Sequence, residues 1–299
     1  MPVMEDRKMF LGGSDIAAVM GMSRWKTPLQ LWGEKTGVVA PADLSNNEAV
    51  ELGLELEEFV ANKFRRKTGM KVRKPPIRHY ISRDYPFMAC QVDRLIEGTE
   101  ELLECKTASL RKEKEWDGDS IPEEYILQVL WQLMITGRKT GWIAVLIGGQ
   151  KFLYKRINAD EEMFALMTAA ALKFWEMVHS NTPPMAVADD NESIVDLYPK
   201  HDDQIQALDE FDGKIKLLQE LKMHIAELDD QKDGIEAAIK QVIGDNVGIK
   251  TTHYTVTWKG QITKRLDAQR FKADHPDMWI TYAKESFTRV MRVNKNKEE

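Results

Sequence analysis

Two short apolar runs, Gln91-Val92-Asp93-Arg94-Leu95-Ile96 and Leu102-Leu103-Glu104-Cys105-Lys106-Thr107-Ala108, stand on either side of the turn signal Glu97-Gly98-Thr99. No other stretch narrows the possible folds as far. Runs of this kind joined through a glycine-containing turn read as a β-hairpin. Side chains alternate along a strand, so Glu104 and Lys106 share one face while Leu103 and Cys105 enter the opposite layer. Asp93 lies 11 residues before Glu104 on the paired strand and can reach the same face. Two carboxylates and a lysine therefore converge inside an otherwise apolar hairpin. An isolated Glu-x-Lys triplet reads as an ordinary surface ion pair. The aspartate embedded in the preceding strand is what sets this one apart.

The flanking pattern places helices around the hairpin. Residues 47–68 have helical periodicity and stop at Gly69, with Gly53, Glu57, Val60 and Phe64 on one stripe. Glu57 is thereby the acid that faces the body of the protein, whereas Glu51, Glu55 and Glu58 suit solvent. An inward acid needs a partner, and either a metal ion or a basic side chain would serve. Shorter helices are expected from Ile16 and over 28–35. Strand-like pieces cover 71–73, 77–82, 88–96 and 101–108. Ser120-Ile121-Pro122-Glu123 has capping-box spacing and opens a helix running to about Thr136, with Tyr125, Gln128 and Gln132 on one stripe. A second hairpin over 141–157 and a helix over 160–180 follow. Asn181-Thr182-Pro183-Pro184 marks the boundary. Residues 1–185 thus read as an α+β domain with a central sheet flanked by helices.

Residues 186–299 read as an extension. Over 202–243, apolar residues recur at spacings of three, four or seven, as in a coiled-coil-like helix with a possible break at Gly234. A strand over 253–258 and a basic stretch around Lys264, Arg265, Arg270 and Lys272 complete the chain.

Composition limits the remaining choices. With 43% hydrophobic residues in 299, the chain can bury a sizeable core. No apolar run approaches the roughly 20 residues that span a bilayer, and the N-terminus lacks an apolar signal region, so a cytoplasmic protein is expected. Cys90 and Cys105 read as small buried residues in a reducing compartment, and the six histidines lack zinc-ligand spacing. The net charge is -6 but uneven, with residues 246–299 carrying +5 and the first 245 carrying -11. An acidic body still suits a polyanionic partner if its carboxylates gather around metal and its basic groups line a groove.

Phosphodiester hydrolysis matches the hairpin's constellation. Hard carboxylate oxygens bind Mg²⁺, and a neighbouring lysine positions or deprotonates the attacking water. The order Gly12-Gly13-Ser14-Asp15, Gly53-x-x-x-Glu57, Asp93, Glu104-x-Lys106 and Tyr125-x-x-Gln128 resembles the YqaJ-type viral recombinases, lambda-exonuclease-like members of the PD-(D/E)xK nucleases. The resemblance covers about residues 7–184. It implies a PD-(D/E)xK core with a mixed central sheet. It further implies Mg²⁺ (or Mn²⁺), two ions per site, held by Asp93, Glu104 and Glu57, with Lys106 orienting water and Gln128 supporting it. Arg7 and Ser14 would bind a terminal 5′-phosphate, although Lys8-Met9-Phe10 replaces the glycine-rich approach of many relatives.

The activity implied is exonucleolytic resection of duplex DNA ends, 5′ to 3′, leaving 3′ single-stranded tails for recombination in a phage-infected or lysogenic bacterial cell. A homo-oligomeric ring (trimer or tetramer) and a single-strand annealing partner are implied with it, the partner docking on the extension. The same metal centre would serve an endonuclease, and an inactive DNA-binding scaffold is the non-enzyme alternative. Arg111 and Lys112 directly follow the catalytic strand and are the favoured DNA contacts, with Tyr125 beside the site. A second basic cluster lies over 65–74, and Trp25 is read as core or as a wedge at the duplex end.

Overall fold

The computed structural model describes residues 7–284 and 288–296. Its chain forms two compact units, Met1–Lys200 and His201–Glu299.

The first unit begins with a 3₁₀ turn at Arg7–Met9 and two helices, α1 (Ile16–Val19) and α2 (Pro28–Thr36). The latter carries a capping box between Thr27 and Gln30, with Pro28 in its first turn. Helix α3 (Glu48–Thr68) starts where the Asn47 side chain accepts from Ala49 and Val50 N–H, and it ends at Gly69 with φ 76°. There follow β1 (Val72–Arg73), β2 (Tyr80–Ile81), β3 (Ala89–Cys90), β4 (Arg94–Ile96) and β5 (Leu102–Ala108). Next come α4 (Glu123–Thr136), β6 (Thr140–Ile147), β7 (Lys151–Asn158), α5 (Glu161–His179) and α6 (Ile194–Leu197).

A five-stranded mixed sheet is built in the order β1-β4-β5-β6-β7. Its one parallel pair, β5 with β6, is connected through α4, the crossover that parallel strands require. The α3 face packs Val60 and Phe64 on Leu103, Ala144 and Leu146. On the opposite face, Leu102, Ile143 and Val145 pack with Val129, Leu133, Met167 and Ala171 from α4 and α5. Both faces of β6 are covered, which explains its almost continuous apolar run. At Gly141 an added Cβ would lie 2.7 Å from Val129 and 3.0 Å from Leu102, so α4 crosses the sheet here at a distance only glycine permits. This architecture is α+β, a central mixed sheet flanked by helices.

Three local expectations are corrected. Residues 88–96 are not one strand: β3 pairs with β2 in a separate two-stranded sheet, β4 joins the main sheet, and Gln91–Asp93 pass between them. No capping box forms at Ser120. Pro122 is the N-cap without a side-chain bond, and the Ser120 carbonyl accepts from Lys155 Nζ at 2.6 Å instead. Past the double proline the chain stays with the first unit. There Asp190 binds Thr27, Ser193 accepts from Gln30 at 3.0 Å, and Leu197 is buried.

The second unit consists of α7 (Asp212–Ile243), a hairpin of β8 (Gly248–Lys250) and β9 (Thr255–Thr257), and helices α8 (Ala268–Asp274) and α9 (Pro276–Tyr282). Helix α7 begins ten residues later than its periodic pattern and runs through Gly234 without a break. Its apolar residues Leu221, Ile225, Leu228 and Ile235 are exposed. No helix among the described residues is long and apolar enough to cross a membrane.

Candidate active site

The site is centred on β5, where alternation sends Glu104 and Lys106 toward α4. Glu104 is only 3% exposed, and both its oxygens are engaged. Lys106 Nζ lies 2.7 Å from Oε1, Gln128 Nε2 donates to Oε1 at 2.6 Å, and Gln132 Nε2 donates to Oε2 at 2.6 Å. Gln128 and Gln132 stand one turn apart on α4, the spacing that lets two side chains address one carboxylate. Gln128 also accepts from Lys106 at 2.9 Å, and Gln132 donates to the Gln91 carbonyl at 3.0 Å. The Lys106 ammonium rests 5.2 Å above the Tyr125 ring, which is itself stacked on the buried Trp116. Burial alone would lower the Lys106 pKa, but the Glu104 charge and hydrogen bond outweigh it and the net shift is upward. Lys106 is therefore a held cation, bound on three sides.

Asp93 arrives from the bend before β4, and its Oδ2 accepts the Cys105 N–H at 2.8 Å. Burial, then the Glu104 charge, and more weakly Glu57, push its carboxyl well above the ordinary aspartate range, against the pull of the Cys105 N–H and Lys106. Glu57 projects from α3 and is bound by Arg94, which also donates to Glu58 at 2.7 Å and to the Asp93 carbonyl at 2.6 Å. Of the two partners that helical periodicity allows for Glu57, the fold supplies the basic one. Arg94 is 3% exposed, and the sequence reading passed it over. Its signal was there: an arginine inside an apolar strand beside the key aspartate must have carboxylate partners.

Among the described residues no group of three His, Cys, Asp or Glu side chains already surrounds one point as a metal cage. The donor chemistry nevertheless fits a hard divalent cation. Asp93 and Glu104 repel each other across a buried space, and Asp93 Oδ1 accepts no hydrogen bond among the described residues. A cation between them would relieve the repulsion that raises Asp93. Asp93 and Glu104 are the residues able to hold it, with Glu57 the nearest further acid by charge.

The first turn of the chain adds a second feature. Arg7 Nη2 donates to Ser14 Oγ at 3.2 Å, so the expected pair is brought together. Asp15 stands at the N-cap of α1 without a side-chain bond into the helix, and its carboxylate accepts from the Gly12 N–H at 3.0 Å and from the buried Lys35 at 2.7 Å. Lys35 also donates to the Arg7 and Phe10 carbonyls, each at 2.7 Å. A cleft of about 530 Å³ opens here, with Arg7, Gly13, Ser14 and Gln128 in its walls. Gln128 thus belongs to both the cleft and the carboxylate cluster.

The remaining candidates fall outside this cluster. Lys112 pairs with Glu115 at 2.9 Å and Arg111 is exposed on the 3₁₀ segment Leu110–Trp116. Trp25 is 75% exposed and not core, held out by a loop whose Arg24 binds Glu115 and Glu124 at 2.8 and 2.6 Å.

Comparison with known proteins agrees with this geometry. The sequence model of the YqaJ-like viral recombinase domain matches residues 4–139. The uncharacterised protein YqaJ of Bacillus subtilis (strain 168) is 34% identical over 297 residues, spanning 95% of this chain and 91% of that one. The chain belongs to the YqaJ-like viral recombinase family. A crystal structure of an alkaline exonuclease (LHK-Exo) from Laribacter hongkongensis superposes with a TM-score of 0.50 at 19% identity, covering 59% of this chain and 91% of that structure. At that identity the likeness establishes the fold.

Proposed function

We propose that this member of the family is a Mg²⁺-dependent DNA exonuclease that resects duplex ends. The observation that carries the reading is the buried Glu104–Lys106–Gln128 cluster beside an aspartate whose pKa is driven up by burial and then by the Glu104 charge. Mg²⁺, or Mn²⁺, when bound at Asp93 and Glu104, neutralises the scissile phosphate and lowers the pKa of an attacking water. Lys106 then keeps its proton close to the reacting phosphate and orients the water. Gln128 fixes the ammonium from one side and the Tyr125 face from another. Gln132 holds Glu104 in register without contacting the reacting atoms. Arg7 and Ser14 bind the terminal 5′-phosphate, Arg7 through paired donors and Ser14 through its hydroxyl.

The 5′-to-3′ direction, the 3′ single-stranded product, the second metal ion at Glu57 and a ring of three or four copies follow from the family likeness. So does action in the cytoplasm of a bacterial host. LHK-Exo is an alkaline exonuclease, and the shared fold supports that chemistry here. Arg111 and Lys112 approach the duplex backbone beside the site. In this reading the second unit, with the exposed apolar side chains of α7 and an excess of +5 over residues 246–299, docks a single-strand annealing protein.

The deciding assay compares linear duplexes bearing 5′-phosphate or 5′-hydroxyl ends with covalently closed circular DNA, in Mg²⁺ and in chelator. Metal-dependent loss of linear DNA only, faster from 5′-phosphate, is expected. Lys106→Ala should slow it by roughly 10²–10⁴-fold, the range for a positioned proton-bearing group. Cleavage of the closed circle would make the protein an endonuclease. Intact DNA of every form would leave a binding scaffold.

A further inference from the structure

The cleft beside Arg7 and Ser14 has a wall that the nuclease reading does not use. Arg78 and His79, from the segment between β1 and β2, line the same space as Arg7, Ser14 and Gln128. Among the described residues the Arg78 side chain makes no ion pair and no hydrogen bond, and it is exposed. Arg24 and Arg94, by contrast, each bind two carboxylates, and what sets Arg78 apart from the other unpaired arginines of the unit is its place in the lining of this cleft. His79 is fixed on two sides. Its Nε2 meets Gln91 Nε2 at 2.7 Å, and its ring meets Phe10 edge-on at 5.7 Å. Burial, and then the charge of Arg78, lower the His79 pKa.

The rest of the lining is equally constrained. Phe10 belongs to the short segment that Lys35 clamps through the Arg7 and Phe10 carbonyls. Gly13 lies against Gln128, where a Cβ would come within 3.3 Å of that side chain. The cleft therefore has fixed walls, several donors in its lining, and among them an arginine not neutralised by protein. Carboxylates are missing from its lining, although the unit as a whole is acidic. Such a space is complementary to a phosphate group.

We infer that Arg78 and His79 are specificity-determining residues that grip the terminal phosphate of a DNA strand from the side opposite Arg7 and Ser14. The inference rests on the strand-end reading of the Arg7–Ser14 pocket. It makes the pocket a two-armed clamp in which Arg78 supplies the second cation and His79 a neutral ring donor.

The test is equilibrium binding of the full chain, with divalent ions chelated so that no strand is cut. The ligands are duplexes labelled at the far end and carrying either a 5′-phosphate or a 5′-hydroxyl. The readout is the ratio of the two affinities, because loss of general positive charge weakens both duplexes alike. The wild-type chain should favour the phosphate. Arg78→Gln should cut that ratio roughly tenfold, the effect of one charge-assisted contact. His79→Asn should cut it by a smaller factor. A ratio unchanged in Arg78→Gln but collapsed in Arg7→Gln would overturn the two-armed clamp while keeping the pocket. A ratio unmoved by Arg7→Gln would remove the strand-end pocket itself, and the inference with it.

Discussion

At the residue scale the site is governed by the burial of Asp93 and then by its repulsion from Glu104. Three donors satisfy Glu104, so the strain falls on Asp93, whose pKa rises well above its usual 3.8. An acid whose folded pKa exceeds its unfolded one gives stability that is fully present below the unfolded value and lost as pH rises through the folded value. The metal-free protein should therefore lose stability from mildly acidic pH upward through the raised Asp93 pKa. Melting temperatures in chelator, compared between wild type and Asp93→Asn, should converge at low pH and separate in favour of the asparagine as pH increases. A constant difference across that window would mean that Asp93 is not held protonated by its surroundings. Added Mg²⁺ should reverse the trend in the wild type only, since binding needs the deprotonated acid and expels its proton.

At the element scale, α4 is the part that makes the site. It supplies Tyr125, Gln128 and Gln132 from one stripe, and it lies close to the sheet because Gly141 lets it. Gly141→Ala would drive a methyl group into Val129 and Leu102, lifting α4 away from β5. The expected cost is about 1–3 kcal/mol, the range for overpacking a fixed core, read from urea unfolding. Cleavage should drop by more than that loss of stability explains, because the Gln128–Glu104 and Gln132–Glu104 contacts open with the helix. Normal activity in a destabilised variant would show that α4 position and catalysis are independent. Helix α3 contributes differently. Its acids reach the site indirectly, through the buried Arg94 that ties Glu57 and Glu58 to the strand carrying Asp93.

At the scale of the whole molecule, the first unit extends to Lys200 and closes on itself through residues beyond the double proline. Leu197 packs 2.8 Å from where a Cβ on Gly33 would stand, and Asp190 reaches Thr27 at the start of α2. A chain ending at residue 185 should thus be less stable than one ending at residue 200 by roughly 2 kcal/mol or more, the cost of emptying a leucine site. Equal denaturant midpoints would show that these residues merely lie on the surface. The second unit has a different character. Its long helix exposes several large apolar side chains, as a helix does when its packing partner is another molecule or another part of an assembly.

The sequence by itself determined what local periodicity can determine. The alternation that aims Glu104 and Lys106 one way, the helix from Asn47 to Gly69 and the stripe of Tyr125, Gln128 and Gln132 all follow from repeats of 2 and 3.6 residues. Tertiary structure decided the partners. That Glu57 is met by Arg94, that Asp15 is met by Lys35 and that residues 88–96 divide between two sheets depend on segments far apart in the chain. Periodicity orients a side chain within its own element but carries no information about which distant element will face it. The helix over 212–243 shows the same limit from the other side. Its apolar repeat specified a helix, while the fold of the described residues leaves much of that repeat exposed.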